Sequence, residues 1–134
     1  MQVQNIERPY VHVSELLTEK ASGLNLQVIA GKEGLANRIH FPKIQKPGLA
    51  LTGFTQYVRP GRVQIFGESE LAYLKQLDQN RREEVLKQLY SIDIACSIIT
   101  RGLPPMPEMI RESEAHRIPL MVTQHVTSDC IEKI

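Results

Sequence analysis

The hydrophobic positions of this chain fall into short runs divided by glycine and proline, and the period of the runs changes along the sequence. "RVQIF" alternates, with Val63 and Ile65 to one side, which predicts a strand. "GESELAYLKQL" then carries Leu71, Leu74 and Leu77 at three-residue spacing, a stripe that predicts a helix starting at Glu68 or Ser69 with acids in its first turn. "NRREEVLKQLYS" predicts a second helix, capped by Asn80, with Val85, Leu86 and Leu89 turned inward. "IDIACSIIT" is almost continuously apolar, and Ile94–Thr100 reads as a central strand buried on both faces. A helix opened near Pro107, a strand in "IPLMVTQ" and a last helix in "TSDCIEKI" follow.

Upstream the signals are weaker. "VHVSELLTEKASGLN" predicts a helix capped by Ser14 and stopped at Gly23, and Leu26–Ala30 predicts a strand. "GKEGLANRIHFPKI" reads as a turn and a short extended piece. Pro47 suits the first position of a short helix through "GLALTGF" that ends near Gly53, and Pro60-Gly61 suits a turn. From Arg62 onward strands alternate with helices, which implies parallel strands joined by helical crossovers. The expected fold is α/β, a central, largely parallel or mixed sheet of about four to six strands flanked by helices.

With 134 residues the chain suits one domain over 1–134. Hydrophobic residues at 42% and charged residues at 23% are ordinary for a packed domain. The net charge of +1 and the 5% aromatic content argue against a nucleic-acid platform, which needs a basic surface or stacking rings. No run is long enough to span a membrane, and Met1–Tyr10 does not resemble a signal peptide, so a cytoplasmic chain is expected. Cys96 sits in an apolar run and reads as a small buried hydrophobe.

Little in the sequence announces chemistry. His12, His40, His116 and His125 are scattered, and no pair shares a helix turn as a metal site would ask. Neither phosphate-binding glycine pattern is present; "AGKEG" lacks the spacing and the hydroxyl, and reads as a hairpin-like turn. One place follows the rule that ligands of open α/β sheets sit beyond the carboxyl ends of parallel strands. In "IITRGLPPMPE", Thr100 offers a hydroxyl, Arg101 a bidentate donor and Gly102 close backbone access, with a helix N-terminus near Pro107. The ordinary alternative is that Arg101 pairs with a neighbouring carboxylate.

The ordered set of "VSELL", "KIQKPGLALTGF", "RVQIFGESELAYLKQL", "ITRGLPPMPEMI" and "IPLMVT" resembles the amino-terminal domain of HPr kinase/phosphorylase. Pro47-Gly48-Leu49, Gly53-Phe54, Arg62-Val63-Gln64, Gly67 with Glu70, and Thr100-Arg101-Gly102-Leu103 occupy the places of that family's motifs. The resemblance implies a structural part for Pro47, Gly48, Gly53, Arg62, Gly67 and Glu70, and a fold like the substrate-binding domain of Mur ligases. It also implies an enzyme that phosphorylates a serine of HPr, reverses that reaction with phosphate, and regulates bacterial carbon use. Its ATP and magnesium would be held by a carboxyl-terminal P-loop domain, which this chain does not contain. No cofactor, metal or catalytic residue is therefore expected within 1–134. The implied partners are the carboxyl-terminal kinase domain, HPr through the whole enzyme, and further copies in a homo-oligomer, a hexamer for full-length members; nucleic acid and membrane are not among them. The main expectation is a non-catalytic accessory, regulatory or assembly domain. The alternatives are a stand-alone sensor of a small anion or nucleotide sugar, and a module that only spaces subunits.

Overall fold

The computed structural model describes residues 10–18, 23–40, 44–52 and 58–133. The strands are β1 (Tyr10–His12), β2 (Gln27–Ala30), β3 (Arg38–His40), β4 (Ile44–Gln45), β5 (Val63–Phe66), β6 (Cys96–Ile99) and β7 (Leu120–Val122). The α-helices are α1 (Gly48–Leu51), α2 (Glu68–Gln76), α3 (Gln79–Tyr90), α4 (Pro107–His116) and α5 (Thr127–Lys133). A five-stranded sheet has the order β2-β7-β6-β5-β4, and β1 pairs with β3 in a separate two-stranded sheet. Strands β4 to β7 are parallel, and β2 closes one edge antiparallel to β7. The α/β class and the mixed sheet thus match the sequence reading.

The parallel strands advance across the sheet in chain order, so each crossover steps in the same direction. Crossovers of one hand then place α1 to α4 on one face. The side-chain parity agrees. Phe66, Ile99 and Leu120 pack with Leu51, Leu74, Leu86, Leu89 and Met109 on the helical side. Val63, Ile65, Cys96, Ile98 and Met121 point the other way, against Val13, Leu16, Leu24, Ile39 and Cys130. Every residue from Ile94 to Thr100 is buried, as the unbroken apolar run implies. Burial raises the Cys96 thiol far above its ordinary value, and desolvation with help from Asp129 pushes Cys130 up to about 11.

The Tyr90 phenol and two serine hydroxyls pair with one another inside this core. Tyr90 Oη lies 2.9 Å from Ser97 Oγ, and Ser113 Oγ donates to Tyr90 Oη at 3.4 Å. Burial raises the Tyr90 phenol, and the two serine hydrogen bonds offset part of that rise.

Several local expectations are corrected. Residues Val13–Leu17 form a 3₁₀ turn whose N-cap is His12; Ser14 lies inside it as its second residue and so does not cap it, and its N–H donates to the Leu35 carbonyl at 2.9 Å. Helix α3 is capped by Asp78, whose carboxylate accepts from the Arg81 N–H at 2.9 Å, and Asn80 lies inside the helix. "AGKEG" is a 3₁₀ turn over Lys32–Gly34, with Gly31 left-handed at φ 73°. A side chain at Gly31 would strike the Ile118 carbonyl, so the bare backbone is what lets this turn rest on β7's approach. Pro47 immediately precedes α1, and its carbonyl accepts the helix's bond from Leu51 N–H at 2.9 Å. Gly53 and Phe54 lie outside the described residues.

Arg82 locks the helical layer. It reaches from α3 to the carbonyls of Leu74 (2.9 Å), Lys75 (3.3 Å) and Leu77 (2.9 Å) at the end of α2, where the Leu74 carbonyl also accepts from the Leu77 N–H, and to Glu108 Oε2 (3.0 Å) at the start of α4. Burial alone would push the Glu108 carboxyl up, but its own backbone N–H and the Arg82 guanidinium more than offset this and hold it below its ordinary value. A carboxyl lowered in the folded state stabilises the fold above its unfolded pKa and loses that contribution as pH falls through the folded value. Arg82→Ala should therefore cost about 2–3 kcal/mol in urea unfolding at pH 7. The difference from wild type should narrow below about pH 4.5, where the unfolded-state carboxyl is protonated.

Candidate functional site

At the carboxyl ends of β4, β5 and β6 the chain gathers a set of interacting polar groups. Gly67 ends β5 and caps α2; its N–H donates to Glu70 Oε1 at 2.8 Å, so the helix's third residue reaches back to hold its own start. Glu70 is 5% exposed. Lys46, which follows β4, closes on the same carboxylate at 3.1 Å from Oε2 and 3.2 Å from Oε1. Gly48 and Gly67 both face this pair: a methyl group at Gly67 would come within 2.9 Å of Thr127 Oγ1 and 3.3 Å of Glu70 Oε1. Gly67 thus leaves room for the carboxylate, whereas a methyl group at Gly48 would meet Glu70 Oε2 at an ordinary 3.7 Å.

Thr100 stands one strand further on. It is fully buried, with its N–H bonded to the Phe66 carbonyl at 3.1 Å and its hydroxyl 3.1 Å from Thr127 Oγ1 at the head of α5. The chain then turns through two left-handed residues, Arg101 (φ 60°) and Gly102 (φ 66°). Their N–H groups donate to the carbonyls of His125 and Thr123, both at 2.8 Å. A side chain at Gly102 would meet Gln124 Oε1 at 2.5 Å. The Arg101 side chain is exposed and makes no ion pair or hydrogen bond with the described residues.

Thr100, Arg101 and Gly102 are thus at a strand end, as the sequence placed them, and of the three the Arg101 side chain alone has N–H donors without a partner among the described residues. Glu70, Gly67 and Gly48 converge beside them. Arg62 stands at the opposite end of β5, donating from a guanidinium N–H to the Pro60 carbonyl at 3.0 Å. Sequence reasoning missed Lys46 and Thr127, which meet Glu70 and Thr100 only across 24 and 27 residues. The order of strands does not reverse between β4 and β7, so this edge has none of the crevice that a change of winding direction opens.

A polar cavity of about 440 Å³ lies instead at the amino ends of β5 to β7. His40 and His116, far apart in sequence, both line it, with Asn37, Arg38 and Asp93. His116 is paired with Glu112 at 3.2 Å, and Arg38 lies 4.4 Å over the Tyr10 ring. His12 and His125 are elsewhere, beside Glu15 (3.5 Å) and Asp129 (3.2 Å). Among the described residues, no group of three or more His, Cys, Asp or Glu side chains is placed to hold a metal ion. No helix among them is long and apolar enough to cross a membrane.

The Lys46–Glu70 pair separates two contributions. Glu70 is buried and caps a helix, whereas the Lys46 side chain is 41% exposed. Glu70→Ala should cost about 1–3 kcal/mol by urea denaturation, and Lys46→Met less than about 1 kcal/mol. Equal costs would mean that the ion pair, and not the cap, fixes this corner.

Comparison with known proteins places these features. The profile of the family described as HPr Serine kinase N terminus matches residues 11–134. A protein named HPr kinase/phosphorylase from Geobacter sulfurreducens is 42% identical over 122 residues, covering 91% of this chain and 38% of that relative. One of the same name from Clostridium beijerinckii is 39% identical over 119 residues, covering 88% of this chain and 39% of the relative. The chain therefore spans about two-fifths of the length of these relatives. Among solved structures, the CBS and DRTGG domains of the regulatory region of Clostridium perfringens pyrophosphatase, complexed with the activator diadenosine tetraphosphate, superpose with a TM-score of 0.60. That match covers 96% of this chain and 50% of the other at 14% identity, a likeness of fold alone. The Pro-Gly-Leu block, the Gly67–Glu70 cap and the Thr-Arg-Gly turn are thus the local structure of a known sequence family, and the chain belongs to the HPr serine kinase N-terminal family.

Proposed function

We propose that this chain is a non-catalytic accessory module of a bifunctional HPr serine kinase/phosphorylase, serving regulation or assembly while another domain carries out phosphoryl transfer. The observation that carries this reading is the family match over residues 11–134 in relatives more than twice as long. The strand-end chemistry supports it. The carboxylate and hydroxyls at the carboxyl edge are spent on holding β5, β6, α2 and α5 together, through Glu70 to Gly67 and Lys46 and through Thr100 to Thr127. Phosphoryl transfer asks for groups that cradle phosphates, hold a divalent cation and orient the nucleophile. On this reading ATP and magnesium are held by the kinase domain, HPr is met through the whole enzyme, the enzyme works in the cytoplasm, and copies associate as a homo-oligomer. Residues 1–134 incubated with labelled ATP, magnesium and HPr should yield no labelled HPr. Label appearing on HPr at a rate proportional to the concentration of this chain would overturn the reading.

A second reading is favoured by one observation, the exposed Arg101 side chain without a partner among the described residues. Here the module senses a small anion or nucleotide sugar, and the implied likeness to a Mur-ligase substrate domain belongs with this reading. With inorganic phosphate as the probe in calorimetric titration, Arg101→Ala should weaken binding by about 1.5–3 kcal/mol, the range of a charged hydrogen bond. Phosphate affinity unchanged by the substitution would remove Thr100–Gly102 as a sensing site.

A further inference from the structure

Helix α2 carries a stripe that the fold does not use. Glu68, Ala72 and Lys75 stand at helical positions i, i+4 and i+7 and are all exposed, while Leu71 beside them enters the core. Neither charged side chain makes an ion pair or hydrogen bond with the described residues, although other charged residues of the helical layer do, Arg81 with Glu84, Arg82 with Glu108 and Arg111 with Glu83. Along this stripe α2 forms one wall of an apolar groove of about 440 Å³, with Pro104 and Met106 on the opposite bank.

We propose that this groove is the interface between two copies of this chain related by a two-fold axis, with α2 packed antiparallel against its symmetry mate. The charge pattern chooses this occupant. The midpoint between positions 68 and 75 falls between Leu71 and Ala72. A two-fold axis there sets Glu68 of each copy opposite Lys75 of the other, giving two ion pairs and no facing like charges. The two residues are separated by about 10 Å along the helix, from seven residues at 1.5 Å each, so both pairs form in one parallel-axis contact. Ala72 at the axis is short enough to let the helices approach at the usual 8–10 Å. Pro104 and Leu103, partly exposed beside the stripe, then supply the apolar flank removed from water.

The test is sedimentation equilibrium of the 134-residue chain and its charge-reversed variants, with thermal melts to show that each is folded. Wild type should show a monomer–dimer equilibrium. Glu68→Lys and Lys75→Glu should each weaken it roughly tenfold or more, because each replaces two attractive contacts by two repulsive ones. An equimolar mixture of the two single variants should form heterodimers, and the double variant Glu68→Lys/Lys75→Glu should recover the wild-type association. A wild-type chain that stays monomeric at the highest concentration reached would overturn the proposal and leave the groove to a different partner. A dimer unmoved by the single reversals, or one not restored in the mixture, would equally overturn it by placing the contact elsewhere.

Discussion

Strand β6 must be buried on both faces, and most of the architecture follows from that constraint. Cys96 and Ile98 point to one side and Ile99 to the other, all fully buried. Ser97 is the polar exception, and Tyr90 satisfies it from α3. A strand of this kind needs a neighbour at each edge and a layer on each face. Strands β5 and β7 supply the edges, helices α1 to α4 one layer, and the 3₁₀ turn, the β1–β3 pair and α5 the other. Stacking all the crossover helices on one face then concentrates helix ends in one layer, and Arg82 satisfies one such end while bridging to the next helix.

The same economy governs the carboxyl edge. Strand ends there leave N–H and C=O groups that must find partners within the fold. Glu70 accepts the Gly67 N–H and Thr100 donates its N–H to the Phe66 carbonyl; Lys46 and Thr127 in turn bond the Glu70 carboxylate and the Thr100 hydroxyl, and the carbonyls of Thr123 and His125 close over the Thr-Arg-Gly turn. Residue types that would look catalytic in a sequence are here occupied in structure. This occupancy is compatible with the accessory role proposed above.

The core was legible because its signals are local. The apolar run of β6, the three-residue leucine spacing of α2 and the proline before α4 each lie within a few residues of the element they specify. The corner at Glu70 was only half legible. Its Gly67 cap is a three-residue pattern, but Lys46 and Thr127 arrive from other elements, and no periodicity announces them. The choice of Asp78 over Asn80 as a cap was a matter of two residues: both can accept from a helix N–H, but the chain is extended at Leu77 and Asp78 and helical from Gln79, so Asp78 is the last extended residue and takes the cap position. Strands β1, β3 and β4, with two or three residues each, carry too little pattern to be read without their partners. Gln45 and Gln64 illustrate this: they are polar residues on adjacent strands, and the 3.2 Å bond from Gln64 Nε2 to Gln45 Oε1 forms only once β4 and β5 are paired.

The central claim is that the carboxyl edge is structural, closed as tightly as the core it terminates. Native-state hydrogen exchange at the amides of Thr100, Arg101 and Gly102 tests it most directly, since these donate to Phe66, His125 and Thr123 at 3.1, 2.8 and 2.8 Å. If the edge is part of the cooperative core, all three should exchange with the free energy of global unfolding, alongside Ile98 in β6. Exchange through local openings far below that energy, with β6 still protected, would show an edge that opens on its own and would contradict the account.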